Sequence, residues 1–197
     1  MGRNTKLAIV SVLVLAVAGL VVWGIASGGG ESGDPGAGNP ESKATAYKQA
    51  LADAPPPLKK LYANGDQLIQ GGADALHAQL EQLHGYPVVV NVWASWCGPC
   101  RLEFPDLQSV SAERGDEVAF VGVDAEDSDA AATDFLAELP LPYPSVTDPD
   151  NEIKDEYALR GYPATAFYNS DGERVYVKQG PYTSAEQLNA DIDKYAG

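Results

Sequence analysis

The sequence of 197 residues predicts an α/β sandwich around a central mixed β-sheet, preceded by an N-terminal transmembrane helix. Three observations lead there. PVVVNVW (87–93) and EVAFVGVDA (117–125) are short, nearly continuous apolar runs, as expected of strands buried on both faces. Segments with helical spacing of apolar residues alternate with them. A late strand–turn–strand pattern and a last helix close the chain, which argues for a mixed sheet covered by helices.

The elements follow in order. Arg3 and Lys6 precede an uncharged apolar run, Leu7 to Ala26. Twenty such residues suffice to span a bilayer as a helix. The basic flank keeps residues 1–6 in the cytoplasm and puts the rest outside, as a single-pass cell-membrane protein. A cleaved signal peptide is the competing reading, with Gly24 and Ala26 as small residues before a cut and a secreted product. Lys6 stands where a myristoylation pattern needs Ser or Thr. Residues 27–57 read as a flexible Gly/Pro/Ser linker. Within it, a short helix beginning near Lys43 is broken at Pro55-Pro56-Pro57. The globular domain occupies 58–197.

In that domain, ADALHAQLEQLHG has helical periodicity and stops at Gly85. After the first buried strand, a helix is expected over Cys97–Arg114. Asp129–Leu139 reads as another helix, ended by Pro140, and YPSVT (143–147) as a short strand. Asp148-Pro149 resembles an N-cap with proline in the first turn, opening a helix to about Tyr157. ATAFY and RVYVKQ flank Asp171-Gly172 as an antiparallel hairpin. Ser184 and Gln187 form a capping box for a helix ending near Tyr195.

Charge narrows the partners. Thirteen Lys and Arg against 28 Asp and Glu give a net charge of −15. Such a surface repels phosphate backbones, so no nucleic-acid partner is expected.

The chain has two cysteines, Cys97 and Cys100, in WASWCGPCRLEFP. A purely structural disulfide is disfavoured, because so short a loop constrains little of the unfolded chain. Zinc needs further ligands, and His77 and His84 lie on another element without metal-type spacing, so no metal is expected. A redox pair fits the placement. Cys97 stands where a buried strand hands over to a helix, and the helix N-terminus stabilises a thiolate there. Cys100 is one turn in, close enough to form a disulfide. Pro99 is tolerated in the first turn. Cys97 would attack a substrate disulfide, and Cys100 would then attack Cys97 and release the product; the reverse uses the same atoms. No cofactor is required.

These residues carry a resemblance. WCGPC after a buried strand, Pro105 beyond it, and Gly-Tyr-Pro before a late strand are similar to thioredoxin over about residues 62–196. The segment Asp127–Thr147, Glu103 and the N-terminal anchor resemble the TlpA/ResA branch of membrane-tethered thiol–disulfide oxidoreductases. The resemblance implies a thioredoxin-like three-layer sandwich. It implies a cis Pro163 facing the disulfide, in a segment that holds the substrate chain beside Cys97. It also makes Glu103 the group that assists deprotonation of Cys100, against the plain alternative of a surface glutamate. Thioredoxin's buried aspartate is replaced by Asn91, which is assigned to hydrogen bonding beside the site.

Trp96, Gly98 and Pro99 complete the expected substrate surface, with Trp93 either framing it or lying in the core. Tyr162 either restricts substrates or packs at the surface. The expected function is disulfide exchange with extracytoplasmic proteins, as a reductant fed by a transmembrane thiol carrier, with cytochrome c maturation as one family role. A disulfide-forming oxidant is the alternative. A peroxiredoxin-like peroxidase is disfavoured by Ala94 and Val90 at positions that need Thr or Ser and Pro. A metal chaperone of this fold would want a wider cysteine spacing and a nearby histidine.

Overall fold

The computed structural model describes residues 39–196. The anchor or signal segment at 7–26, residues 1–6 and the first part of the linker lie outside them. Among the described residues, no helix is long and apolar enough to cross a membrane.

The elements are α1 (Pro40–Ala50), α2 (Pro56–Tyr62), β1 (Leu68–Ile69), α3 (Gly72–Gln82), β2 (Val88–Trp93), α4 (Gly98–Arg114), β3 (Ala119–Ala125), α5 (Asp129–Glu138), β4 (Ser145–Asp148), α6 (Glu152–Glu156), β5 (Ala164–Tyr168), β6 (Arg174–Gln179) and α7 (Ala185–Tyr195). The six-stranded sheet has the order β1-β4-β3-β2-β5-β6. β1, β4, β3 and β2 run parallel, while β5 is antiparallel to both β2 and β6. Every residue of β2, β3 and β5 is buried, which is why those strands read as apolar runs without alternation.

One sheet face carries Asn91, Trp93, Phe120 and Gly122 beneath α4 and α5. Trp93 stacks on Phe135 of α5 and meets Phe104 of α4 edge-on. Its indole N–H donates to Ser145 Oγ at 3.1 Å across β3. Gly122 makes that crossing fit: a Cβ there would stand 2.1 Å from Ser145 Oγ and 3.1 Å from Trp93 Nε1. Helix α4 also packs on α7, and α3 packs on α6. The result is the expected three layers.

Several boundaries differ from the sequence reading. The segment 27–57 is not a linker throughout, because Pro40–Ala50 is helical and Tyr47, Leu51 and Ala54 are buried. Asn39 Oδ1 accepts the Ser42 N–H as its cap, with proline in the first turn. One buried side chain in α1 left too weak an apolar stripe to recognise. The helix expected from Asp148-Pro149 begins at Glu152 instead. Asp148 still serves it, with Oδ2 accepting the N–H groups of Ile153 and Lys154. Two-residue β1 had no legible pattern. The hairpin is as read: Asn169 Oδ1 accepts from Asp171 and Glu173, and Gly172 takes φ +78° in the turn, a region open to glycine.

Candidate active site

The strand-to-helix junction builds the site. β2 ends at Trp93, and the turn Ala94-Ser95-Trp96 delivers Cys97 as the N-cap of α4. Cys97 Sγ accepts the Cys100 N–H at 3.1 Å, so the sulfur takes one of the helix's unpaired donors. Cys97 and Cys100 form a disulfide with Cα atoms 5.3 Å apart. Cys100 is fully buried and Cys97 is 4% exposed. The pair therefore presents one sulfur at the surface boundary and hides the other.

Beneath the disulfide lies a polar floor. Glu103 is three residues after Cys100 on the same buried helix face and has no exposed surface. Such residues are neighbours on a helix. Its Oε1 accepts from Asn91 Nδ2 at 2.8 Å, and its Oε2 accepts from the Tyr182 N–H at 2.9 Å. Burial pushes its carboxyl up to about 7; the Tyr182 and Asn91 hydrogen bonds and the charge of Lys178 oppose that rise. Desolvation wins because the neutral acid loses far less hydration than the carboxylate. With no exposed surface and both oxygens held, Glu103 is not the surface glutamate of the plain alternative.

Around the disulfide lies an aromatic rim. Trp96 is 60% exposed and meets the half-buried Tyr162 edge-to-face at 5.8 Å. The Trp96 indole donates to the Glu126 carbonyl at 3.1 Å. Tyr162 donates to Asn151 Oδ1 at 2.9 Å, and Lys154, ion-paired with Glu126, sits over its ring. Tyr162–Pro163 is a cis peptide bond. Gly98 and Pro99 are exposed. A Cβ built at Gly98 meets nothing within 4 Å, so nothing within the fold demands a bare backbone there. Trp93 belongs wholly to the core and takes no part in the rim.

The structure thus brings Trp96, Cys97, Gly98, Pro99, Cys100 and Glu103 together at one junction, and adds Tyr162 through its contact with Trp96. His77 is engaged elsewhere, with Nε2 2.9 Å from Glu156 Oε2. Three contributions escaped the sequence reading. Asn151 and Lys154 come to the rim from α6 and its cap. Tyr182 and Lys178 come to the floor from β6 and the turn after it. Asp127 Oδ2 accepts the Ser95 N–H at 2.6 Å, holding the turn that carries Trp96. Beside it, burial and then the charge of Asp127 push buried Asp124 up to about 8. No local motif marks any of these residues.

The chain is similar to known proteins. The redoxin family matches residues 65–192. The thiol-disulfide oxidoreductase ResA of Oceanobacillus iheyensis is 33% identical over 132 residues, covering 63% of this chain and 69% of that one. ResA of Bacillus subtilis is 30% identical over 132 residues, covering 61% and 74%. The solved structure of MTB DsbF, in its mixed oxidized and reduced forms, superposes with a TM-score of 0.54 at 30% identity, over 58% of this chain and 84% of that one. With its disulfide capping a helix at the end of a buried strand and this match across the domain, the chain belongs to the redoxin family, as a TlpA/ResA-like thiol-disulfide oxidoreductase of the thioredoxin superfamily.

Proposed function

We propose that the protein is an extracytoplasmic, membrane-tethered reductant of protein disulfides. The observation that carries the chemistry is the disulfide at the α4 N-terminus with buried Glu103 one turn below. In the reduced enzyme, Cys97 thiolate attacks one sulfur of a substrate disulfide. The substrate's other sulfur leaves as a thiolate and takes a proton from solvent. Glu103 carboxylate accepts the proton of the Cys100 thiol. Cys100 thiolate then attacks Cys97 Sγ and breaks the mixed disulfide, and the second substrate thiolate departs. Two electrons pass to the substrate, and the enzyme is left with the Cys97–Cys100 disulfide seen here.

The rim supplies the docking surface. Trp96 offers exposed apolar area beside Cys97. Pro163 offers backbone groups to an extended chain, and bare Gly98 and Pro99 leave room for its approach. Tyr162, held by Asn151, narrows that approach on one side. Turnover as a reductant needs a dithiol donor, for which a transmembrane thiol carrier is the natural partner. The apolar run Leu7–Ala26 supports the tether, and the disulfide of an oxidised apocytochrome c is one candidate client class. The ResA-type relatives support the exchange chemistry itself.

The reduction potential of the Cys97–Cys100 couple tests the direction, measured on the full chain equilibrated with thiol–disulfide buffers. A value near thioredoxin's ~−270 mV is expected. A value near the ~−120 mV of a strong oxidant would instead make the protein a disulfide donor.

A further inference from the structure

The turn after β6 is tied to both halves of the site. Gly180 N–H donates to the Pro163 carbonyl at 2.9 Å. Two residues on, Tyr182 N–H donates to Glu103 Oε2 at 2.9 Å. Tyr182 hydroxyl donates to Asp191 Oδ2 at 2.7 Å, which fixes the far end of the turn to α7. Between these anchors sits one cation. Lys178 Nζ donates to the Gly180 carbonyl at 3.2 Å and to the Pro181 carbonyl at 2.9 Å. It also lies 4.5 Å from the centre of the Tyr182 ring.

The sheet register places this lysine on the face of the sheet that carries the floor. Asn91 pairs with Thr165, and Thr165 pairs with Lys178. Directly paired residues share a sheet face, so Lys178 stands in the row that supplies Asn91 to Glu103. An ordinary edge-strand lysine keeps its head in water. This one is partly buried and folds its head onto two carbonyls and an aromatic ring.

We propose that Lys178 is a positioning residue for the exchange reaction, clamping the Gly180–Tyr182 turn so that one turn holds both the Pro163 carbonyl and Glu103, and setting a positive charge beside the buried carboxyl. The inference rests on reading Glu103 as the proton acceptor. The charge favours the carboxylate, which is the form able to take the Cys100 proton, and so sets the pH at which resolution becomes fast. Besides the Cys100 thiol of the reduced enzyme, the other charged and titratable groups facing Glu103 are Asp106 on α4, buried Tyr143 ahead of β4, and Tyr182 itself. β2 and β5 contribute the neutral Asn91 and Thr165. Lys178 is therefore the cation opposing Glu103's rise, against the carboxylate of Asp106.

The test uses the full chain with oxidised glutathione as the disulfide probe. Resolution of the glutathione mixed disulfide is timed across pH in wild type, Lys178→Met, Lys178→Arg and Glu103→Gln, and the Glu103 carboxyl carbon is titrated by 13C NMR in the first three. Lys178→Met is expected to raise both midpoints by roughly half to one pH unit, slowing resolution about three- to tenfold below the midpoint. Lys178→Arg is expected to keep both midpoints near wild type. Unmoved midpoints in Lys178→Met, or equal shifts in Lys178→Arg, overturn the proposal. If Glu103→Gln keeps the wild-type profile, Glu103 is not the proton acceptor; the carbon titration still reports whether Lys178 acts on it.

Discussion

The floor and the rim of the site meet at one strand-to-helix junction and are built from different materials. The floor is fully buried and polar: Glu103 receives hydrogen bonds from Asn91 and Tyr182. The rim is aromatic and partly exposed: Trp96 meets Tyr162, and both are tied to neighbouring polar groups. In a low-dielectric floor, each charge interaction is strong and proton affinity can be set by few groups. At an exposed rim, water screens charge, and shape and apolar area do the selecting. Under the proposed function, proton handling falls to one side and substrate choice to the other.

The largest effect tests what the two sides share. Cys100→Ser leaves rim and Cys97 intact but removes the resolving sulfur. It is expected to stop turnover and to accumulate a covalent mixed disulfide with protein substrate, visible by non-reducing electrophoresis. Turnover without accumulation would mean that Cys97 does not form the mixed disulfide.

Glu103→Gln breaks the floor alone. Resolution at neutral pH is expected to slow by about two orders of magnitude, with attack by Cys97 little changed. The same variant carries a stability signature. Folding raises the Glu103 carboxyl from 4.5 to about 7, so between those values the folded chain binds more protons than the unfolded one. Stability is therefore fully present below about 4.5 and falls as pH rises towards 7, by about 3 kcal/mol in all. Denaturant unfolding across this range is expected to show that decline in wild type and a flatter profile in Glu103→Gln. Equal profiles would remove the carboxyl from the desolvated floor.

Tyr162→Thr breaks the rim alone and is expected to have the smallest effect. Relative kcat/KM for two unlike protein disulfides should change by about three- to tenfold, with the pH of resolution unmoved. Unchanged preference would leave Tyr162 as surface packing, and a moved pH profile would erase the division between rim and floor.

Much of this was legible in the chain because it follows from short-range rules. The runs VVVNVW and AFVGVDA identify buried strands by composition. Ser184 caps α7 by accepting the Gln187 N–H, though the Gln187 side chain accepts from the Thr183 N–H rather than closing the box on Ser184. Cys97 and Cys100 declare themselves by their spacing at a strand-to-helix junction. Other features were not legible because their causes lie in distant chain. Trp93 and Trp96 are three residues apart in one motif, yet one is fully buried and the other 60% exposed. Nothing local separates them; Gly122, Ser145 and Phe135 make the pocket that takes Trp93. The start of the domain was misread because α1 has one buried side chain within its bounds, Tyr47, and its docking depends on contacts the sequence pattern does not reveal.

The sequence by itself determined the layered α/β architecture, the sulfur chemistry and the position of Glu103 on the Cys100 face of its helix, since each depends on periodicity, capping or spacing within a few residues. Only the tertiary structure decided how that carboxyl is held. Asn91 and Tyr182 donate to it from β2 and from the turn after β6, Lys178 of β6 acts on it through charge without touching it, and Tyr182 is 79 positions away along the chain. Proton affinity is set by desolvation and by the donors and charges that surround a group, and those are assembled by the sheet register rather than by neighbours in sequence.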